Sequence, residues 1–356
     1  MSGTETARAL VLERLGGVPR IETVEVPDPG PGEVRIRMLA TGVCHTDIAA
    51  PRDAFAAPLV LGHEGCGEIV AAGEGVTGLT PGTRVALSFR TACGSCRQCL
   101  SGRPEVCTHG LDLRDGRSRW RGEPIPGLLS LGCFSELIVV PAESAIPIDA
   151  ALPVEQAALI GCGIATGVGA VLNCARVQRG SVVAVWGVGG VGLNAVAGAR
   201  IAGAGTIIAV DPDPSHLELA GARGATELLR PDAAVEALAE LGGVDVAFEA
   251  VGHEDAFLLA LASLAVGGEL VILGGIAPDS VVEVAPRTLL RKQLQITGCI
   301  YGWSDPNTDF PRYAQWCADG TIPVDDLVTR QITLDELPAV FAEERHPGVR
   351  TVVRFD

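Results

Sequence analysis

Four cysteines fall at Cys93-x2-Cys96-x2-Cys99-x7-Cys107 within a polar, glycine-containing loop. Zinc favours four soft thiolates in a tetrahedron, and a compact loop can wrap one ion at such spacings. A lone CxxC would also suit a redox disulfide, but four spaced thiols in one loop are better used as ligands, so a structural zinc is expected. Its loss should unfold that lobe, because structural zinc in small peptides is worth about 10–16 kcal/mol. A second, dispersed set consists of Cys44, His63 and Cys162. Two thiolates and one imidazole would leave one coordination position open, the ligand count of a catalytic zinc. An isolated cysteine is most often a small buried hydrophobe, so this second set needs independent support.

Residues 182–192, VVAVWGVGGVG, read as a strand running into G-x-G-x-x-G, spanning Gly187, Gly189, Gly190, Val191 and Gly192, with a helix-like stretch behind it. Gly187 permits the tight turn, Gly189 lets backbone N–H groups approach a pyrophosphate, and Gly192 lets helix and strand pack closely. A second strand, Thr206–Val210, ends on Asp211, 19 residues beyond Gly192. That spacing puts a carboxylate at the adenosine ribose, where it accepts from both hydroxyls and repels a 2′-phosphate, so NAD rather than NADP is expected.

The elements that must carry these residues change character along the chain. The first 150 or so residues hold short alternating strands, such as 33–38 and 136–140, between Pro-Gly turns, and predict a barrel-like all-β region. From about Gly163, apolar runs (Val182–Trp186, Thr206–Val210, Val244–Glu249, 269–274) alternate with Ala-rich helical stretches and predict a parallel sheet covered on both faces. A length of 356 residues suits two domains, and 47% hydrophobic residues exclude global disorder. With 27 basic and 43 acidic residues the net charge is −16, which argues against a nucleic-acid binder and against docking on an anionic membrane. Lys292 is the only lysine, a composition bias. The longest apolar stretch, 181–200, is broken by five glycines and an asparagine and does not suit a membrane span. The opening residues lack a basic segment followed by an apolar one, so a soluble, cytoplasmic protein is expected. Eleven cysteines then call for work other than disulfide pairing.

On these motifs the chain resembles the zinc-dependent medium-chain alcohol dehydrogenase family over essentially its whole length. The matches are Gly42-Val43-Cys44-His45-Thr46-Asp47, Gly62-His63-Glu64, the four-cysteine lobe, residues 161–167 (GCGIATG), the glycine fingerprint and Val349-Arg350-Thr351. Residues 115–124 resemble the extended loop of the dimeric, long-loop branch. Residues 93–104, and Tyr301 with Asp309-Phe310-Pro311, are similar to actinobacterial mycothiol-dependent formaldehyde dehydrogenases and nicotinoprotein-like alcohol dehydrogenases.

The resemblance implies an α/β fold: a β-rich GroES-like catalytic domain (1–163 and 302–356) carrying the structural-zinc lobe, and a Rossmann doubly wound parallel-sheet domain (164–301). It implies Cys44, His63 and Cys162 as ligands of a catalytic zinc, with Glu64 a nearby carboxylate that approaches the metal during ligand exchange. Asp47 matches the residue holding the other nitrogen of the zinc histidine, which makes imidazole a better ligand. Thr46 matches the hydroxyl that takes the alcohol proton, His45, Thr166 and Arg350 match positions near the nicotinamide and pyrophosphate, and Phe89 matches a pocket-wall aromatic. The implied reaction passes hydride between an alcohol, held as alkoxide on zinc, and NAD.

Two departures stand out. Ala49 occupies the place of a common relay histidine, so the proton must leave by water or another group. His216 stands five residues past Asp211 where lysine is usual. Oxidation of a thiol–formaldehyde adduct, reduction of an imine or enal, and non-catalytic NAD binding remain alternative functions. The expected partners are a small alcohol or aldehyde and a second copy of the chain (a tetramer being the alternative), paired through strands near 281–284 or 297–301. Cys66, Cys133, Cys174, Cys299 and Cys317 are expected to be plain thiols, His109, His253 and His346 not to be ligands, and Trp120 and Trp303 to pack or to line a cleft.

Overall fold

The computed structural model describes residues 3–53, 56–110, 116–275, 277–343 and 348–355. The chain divides into two compact units, Met1–Cys162 with Asp305–Gly320 and Leu327–Asp356, and Gly163–Ser304 with Thr321–Asp326. Asp115 and His346 lie outside the described residues.

The first unit is built from two sheets, one of five strands and one of seven. Its organising element is Glu33–Val43, whose residues Val34, Ile36 and Met38 point inward at the two-residue spacing of a half-buried strand. Their side chains join Ile69, Val85, Leu87, Ile138 and Val140 in one core. The alternation stops at Ala40, and the last four residues are all buried. At that end Glu33–Val43 is flanked by two antiparallel partners, Glu64–Ala72 with Gly42 opposite Glu64, and Arg350–Arg354 with Val43 opposite Thr351. This register brings the residues around 43, 64 and 350 to one end of the sheet from three distant parts of the sequence. Leu137–Pro141 pairs along the other half of the same strand.

The second unit carries a six-stranded parallel sheet in the order Glu227–Leu229, Thr206–Val210, Val182–Trp186, Val244–Glu249, Leu264–Ile272, Gln295–Gly298. In chain order this is 3-2-1-4-5-6, the doubly wound arrangement in which strand order reverses beside the first strand. Ala184, Trp186, Ile208, Ala247 and Leu270 form its core with Ala234, Leu238, Phe257 and Leu261 of the covering helices. The strands expected at 182–186, 206–210 and 244–249 form with those limits. The one expected at 269–274 runs instead from Leu264 to Ile272, with a register shift against Val244–Glu249 that takes up residues 265–268. Residues 281–284 form no strand, and Gln295–Gly298 is the outer one. The longest apolar helical stretch is Val154–Cys174, with a mean hydropathy of 1.7. Its most apolar 18-residue window is 83% buried, the behaviour of a core helix.

Candidate metal centres and dinucleotide site

Cys44 links the strand Glu33–Val43 to the helix His45–Asp53, His63 directly precedes the strand that Glu64 opens, and Cys162 sits in the helical turn Ile160–Ile164. One donor atom from each of Cys44, His63, Glu64 and Cys162 lies within 4.8 Å of all the others, and all four residues are buried. Two sulfurs, an imidazole and a carboxylate in a buried site make a dense set of electron donors, with the Arg350 guanidinium beside the carboxylate. The Cys44 thiol is held well below its ordinary value by the hydrogen bond with Cys162, and that same bond pushes Cys162 well above it. A donor set of this kind fits a zinc ion, which prefers sulfur and nitrogen and tolerates a fourth, exchangeable position.

Asp47 fixes two of the donors at once. It is fully buried, its Oδ2 accepts the N–H of Cys44 at 2.9 Å, and its Oδ1 accepts the N–H of Gly62 at 3.1 Å and faces Nδ1 of His63 at 3.0 Å. With Nδ1 donating to the carboxylate, the lone pair of His63 is on Nε2, the state a metal requires. Burial opposes a charged His63, but the neighbouring Asp47 carboxylate outweighs it and raises the imidazole well above its ordinary range. The ring of Phe89 stands edge-on to His63, with centroids 5.7 Å apart.

Both carboxyl oxygens of Glu64 are buried without a hydrogen-bond partner. Burial raises this carboxyl to about 7, against the pull of Arg350. Arg350 lies 3.6 Å from Glu64 Oε1 and 3.5 Å from the carbonyl of Val43, so the arginine expected near a pyrophosphate also faces the Glu64 carboxylate. An unsatisfied buried carboxylate beside two thiols and an imidazole is a cost that a cation would offset. Thr46 and His45 are exposed in the first turn of their helix, with Thr46 Oγ1 3.9 Å from Cys44 Sγ. Ala49 lies in the same helix.

The second cluster, Cys93, Cys96, Cys99 and Cys107, also gathers its sulfurs within 4.8 Å of one another. The Cys93–Cys99 and Cys96–Cys107 sulfur separations are 4.0 and 3.9 Å. A tetrahedron with arms of about 2.3 Å has edges of about 3.8 Å, so the pocket is already the size of a zinc site. Backbone N–H groups of Cys96 and Cys99 point at the Cys93 and Cys96 sulfurs, and those of Cys93 and His109 at the Cys107 sulfur. The N–H of Ser95 helps bring Cys93 down to about 7, and that of Cys99 brings Cys96 down to about 5, favouring the thiolates that bind metal. All eleven cysteines are free, and Cys66, Cys133, Cys174, Cys299 and Cys317 are buried and belong to neither cluster. Trp120 packs in the core of its sheet, its Nε1 donating to Glu22.

In the second unit, Gly187 takes a φ of 83° and Gly189 caps the helix Gly190–Ala202. A side chain on Gly192 would meet the carbonyl of Gly187 at 1.9 Å, whereas one on Gly189 would meet nothing within 4 Å. The turn is therefore closed on its packing side and open where a phosphate would approach the helix N-terminus. Val191 follows in the first helical turn, and Asn194 donates to the carbonyl of Gly190 at 2.7 Å. Asp211 closes the neighbouring strand, with Oδ2 accepting the N–H of Val188 and Oδ1 that of Asp213, each at 2.9 Å. Thr166 is buried in the helix Ala165–Gly169. Sequence reasoning did not find the contact between Asp211 Oδ1 and His216 Nδ1, at 3.4 Å.

Comparison with known proteins fits this geometry. The alcohol dehydrogenase GroES-like domain profile matches residues 30–150, and the zinc-binding dehydrogenase profile matches residues 190–319. An S-(hydroxymethyl)glutathione dehydrogenase of Escherichia coli O6:K15:H31 (strain 536 / UPEC) is 36% identical over 98% of this chain and 100% of its own. The chain belongs to the zinc-dependent medium-chain alcohol dehydrogenase family. Among solved structures of that family, an alcohol dehydrogenase zinc-binding domain protein from Burkholderia ambifaria is similar with a TM-score of 0.93 at 33% identity, covering 99% of this chain and 100% of that one. Benzyl alcohol dehydrogenase from Acinetobacter calcoaceticus is similar with a TM-score of 0.91 at 29% identity and the same coverage. As a medium-chain alcohol dehydrogenase, the chain is a zinc-dependent oxidoreductase of alcohol/aldehyde pairs, using a nicotinamide dinucleotide as hydride carrier.

Proposed function

We propose that Cys44, His63 and Cys162 hold the catalytic zinc, that Cys93, Cys96, Cys99 and Cys107 hold the structural one, and that the enzyme interconverts a small alcohol and its aldehyde with NAD. When bound, the zinc supplies a Lewis acid and NAD supplies the hydride acceptor. The residues of the chain orient and deprotonate. Asp47 keeps the Nε2 lone pair of His63 available, and Thr46 Oγ1 accepts the hydroxyl proton of the substrate. Thr46 is exposed, so its hydroxyl passes that proton to water, which replaces the imidazole absent at Ala49. Glu64, 3.6 Å from Arg350, would offer the zinc a further carboxylate donor. Phe89, set against His63, forms an apolar wall for the carbon skeleton.

In the second unit Gly187, Gly189, Gly190, Val191 and Gly192 receive the pyrophosphate, and Asp211 receives the adenosine ribose and disfavours a 2′-phosphate. Thr166, His45 and Arg350 are assigned to the rest of the dinucleotide. The observation that carries this reading is the convergence of four buried donors, His63 among them, with Asp47 facing Nδ1 of that imidazole. The test is metal analysis of the purified protein followed by a panel of alcohols with NAD, read as NADH absorbance. Two zinc ions per chain and turnover are expected; a zinc-loaded protein that binds NAD and turns over none of the panel would refute the reading.

The likeness to an S-(hydroxymethyl)glutathione dehydrogenase favours a second reading, in which the alcohol is a thiol–formaldehyde adduct. Formaldehyde oxidation that appears only on adding a low-molecular-weight thiol would select it. The outer strand Gln295–Gly298, with Ile296 and Ile300 exposed, supports a homodimer formed by continuing the sheet. Eleven free thiols suit a cytoplasmic location.

A further inference from the structure

His216 lies in the first turn of the helix Pro214–Ala222, and its Nδ1 is 3.4 Å from Asp211 Oδ1. The two oxygens of Asp211 are otherwise occupied by the N–H groups of Val188 and Asp213, so the imidazole is the partner of this carboxylate that can change charge. We propose that His216 is a proton-dependent counterion that decides how strongly the adenosine site discriminates between the two nicotinamide dinucleotides. Neutral His216 leaves the negative charge of Asp211 uncompensated, and a 2′-phosphate is repelled. Charged His216 cancels it and offers a cation to the phosphate, so the phosphorylated dinucleotide is tolerated. This rests on the reading of Asp211 as the ribose-binding residue.

Two carboxylates, Asp211 and Asp213, lie beside the imidazole on its own element and the preceding turn. Burial pushes the Asp211 carboxyl up, but the bonds from His216, Asp213 and Val188 outweigh it and hold it below the usual carboxylate range. Asp213, which caps the helix through the N–H of Ser215, is also held below that range, first by Ser215. From the adjoining strand end, Arg230 donates to the carbonyl of Pro212 and pairs with Asp232. Held below the usual range, the Asp211 and Asp213 carboxyls stay charged from about pH 6 upward, whereas an imidazole titrates there. The helix N-terminus opposes the imidazolium and the two carboxylates favour it.

The probes are ADP-ribose and its 2′-phosphate, which bind without redox chemistry, titrated calorimetrically into the zinc-loaded full chain between about pH 8.5 and about pH 6. A phosphate monoester itself ionises near pH 6, so the wild type is compared with His216→Gln, which keeps that background and removes the imidazole. The affinity ratio of the 2′-phosphate to ADP-ribose should rise about tenfold more in the wild type than in His216→Gln as the pH falls. His216→Arg, with a permanent charge, should show the raised ratio at every pH. Parallel pH profiles for wild type and both variants, with ADP-ribose bound normally, would overturn the inference alone. No binding of ADP-ribose at any pH would overturn the dinucleotide reading and this inference with it.

Discussion

Replacing Asp47 by asparagine changes little in shape but much in hydrogen bonding. The carboxylate accepts the N–H of Cys44 on one oxygen, and the N–H of Gly62 and Nδ1 of His63 on the other. An amide offers a single acceptor oxygen. If its NH2 faces Cys44, two donors meet in a buried site. If it faces Gly62 and His63, Nδ1 must accept, the ring proton moves to Nε2, and the nitrogen that a metal needs is blocked. An unmade buried hydrogen bond costs about 1–3 kcal/mol. Loss of an outer partner typically weakens metal affinity about 10–100-fold, or about 1.4–2.8 kcal/mol, the same range by an independent route. The assay is zinc stoichiometry of Asp47→Asn after dialysis against graded chelator. The four-cysteine lobe lies elsewhere in the unit and serves as an internal standard for folding. One zinc should be released at a chelator strength that leaves both in the wild type, and the other should stay. Retention of both ions at the wild-type threshold would refute the idea that Asp47 selects the ligating tautomer of His63.

Thr46→Ala should reduce turnover by about 10²–10⁴-fold with zinc content unchanged, while Thr46→Ser retains most activity; full turnover in the alanine variant would remove Thr46 from the proton path. Cys107→Ser takes a buried ligand from the structural cluster, a kind of site worth about 10–16 kcal/mol in small peptides. It should leave one zinc per chain and open residues 91–110 to protease, and a wild-type digestion pattern with two zinc ions would contradict the assignment.

The two short-range motifs could be read from the sequence because their geometry is local. Four sulfurs spaced by two and seven residues in one loop can meet only by closing that loop. The roles of Gly187 and Gly192 follow from a strand, a turn and a helix that are consecutive in the chain. The strands at 182–186, 206–210 and 244–249 were legible for the same reason, since a doubly covered sheet asks for continuous apolar runs. The excursion of Thr321–Asp326 into the second unit has no such signal. Arg223, almost fully buried, fixes that segment by donating to Asp326 and to the carbonyl of Pro323, and neither residue type nor spacing announces the pairing.

The dispersed ligands mark the boundary. By themselves Cys44, His63 and Cys162 are three isolated residues in 356, and only likeness to a family joined them in the sequence. Their meeting is decided by strand register: Gly42 opposite Glu64 and Val43 opposite Thr351 carry positions far apart in the chain to one sheet end. The sequence alone thus determined which donor chemistry is present and which local turns can form, because both depend on neighbouring residues. The tertiary structure alone decided that Arg350 faces Glu64 and that His216 touches Asp211, because a side chain's charge partners are set by packing between elements rather than by distance along the chain.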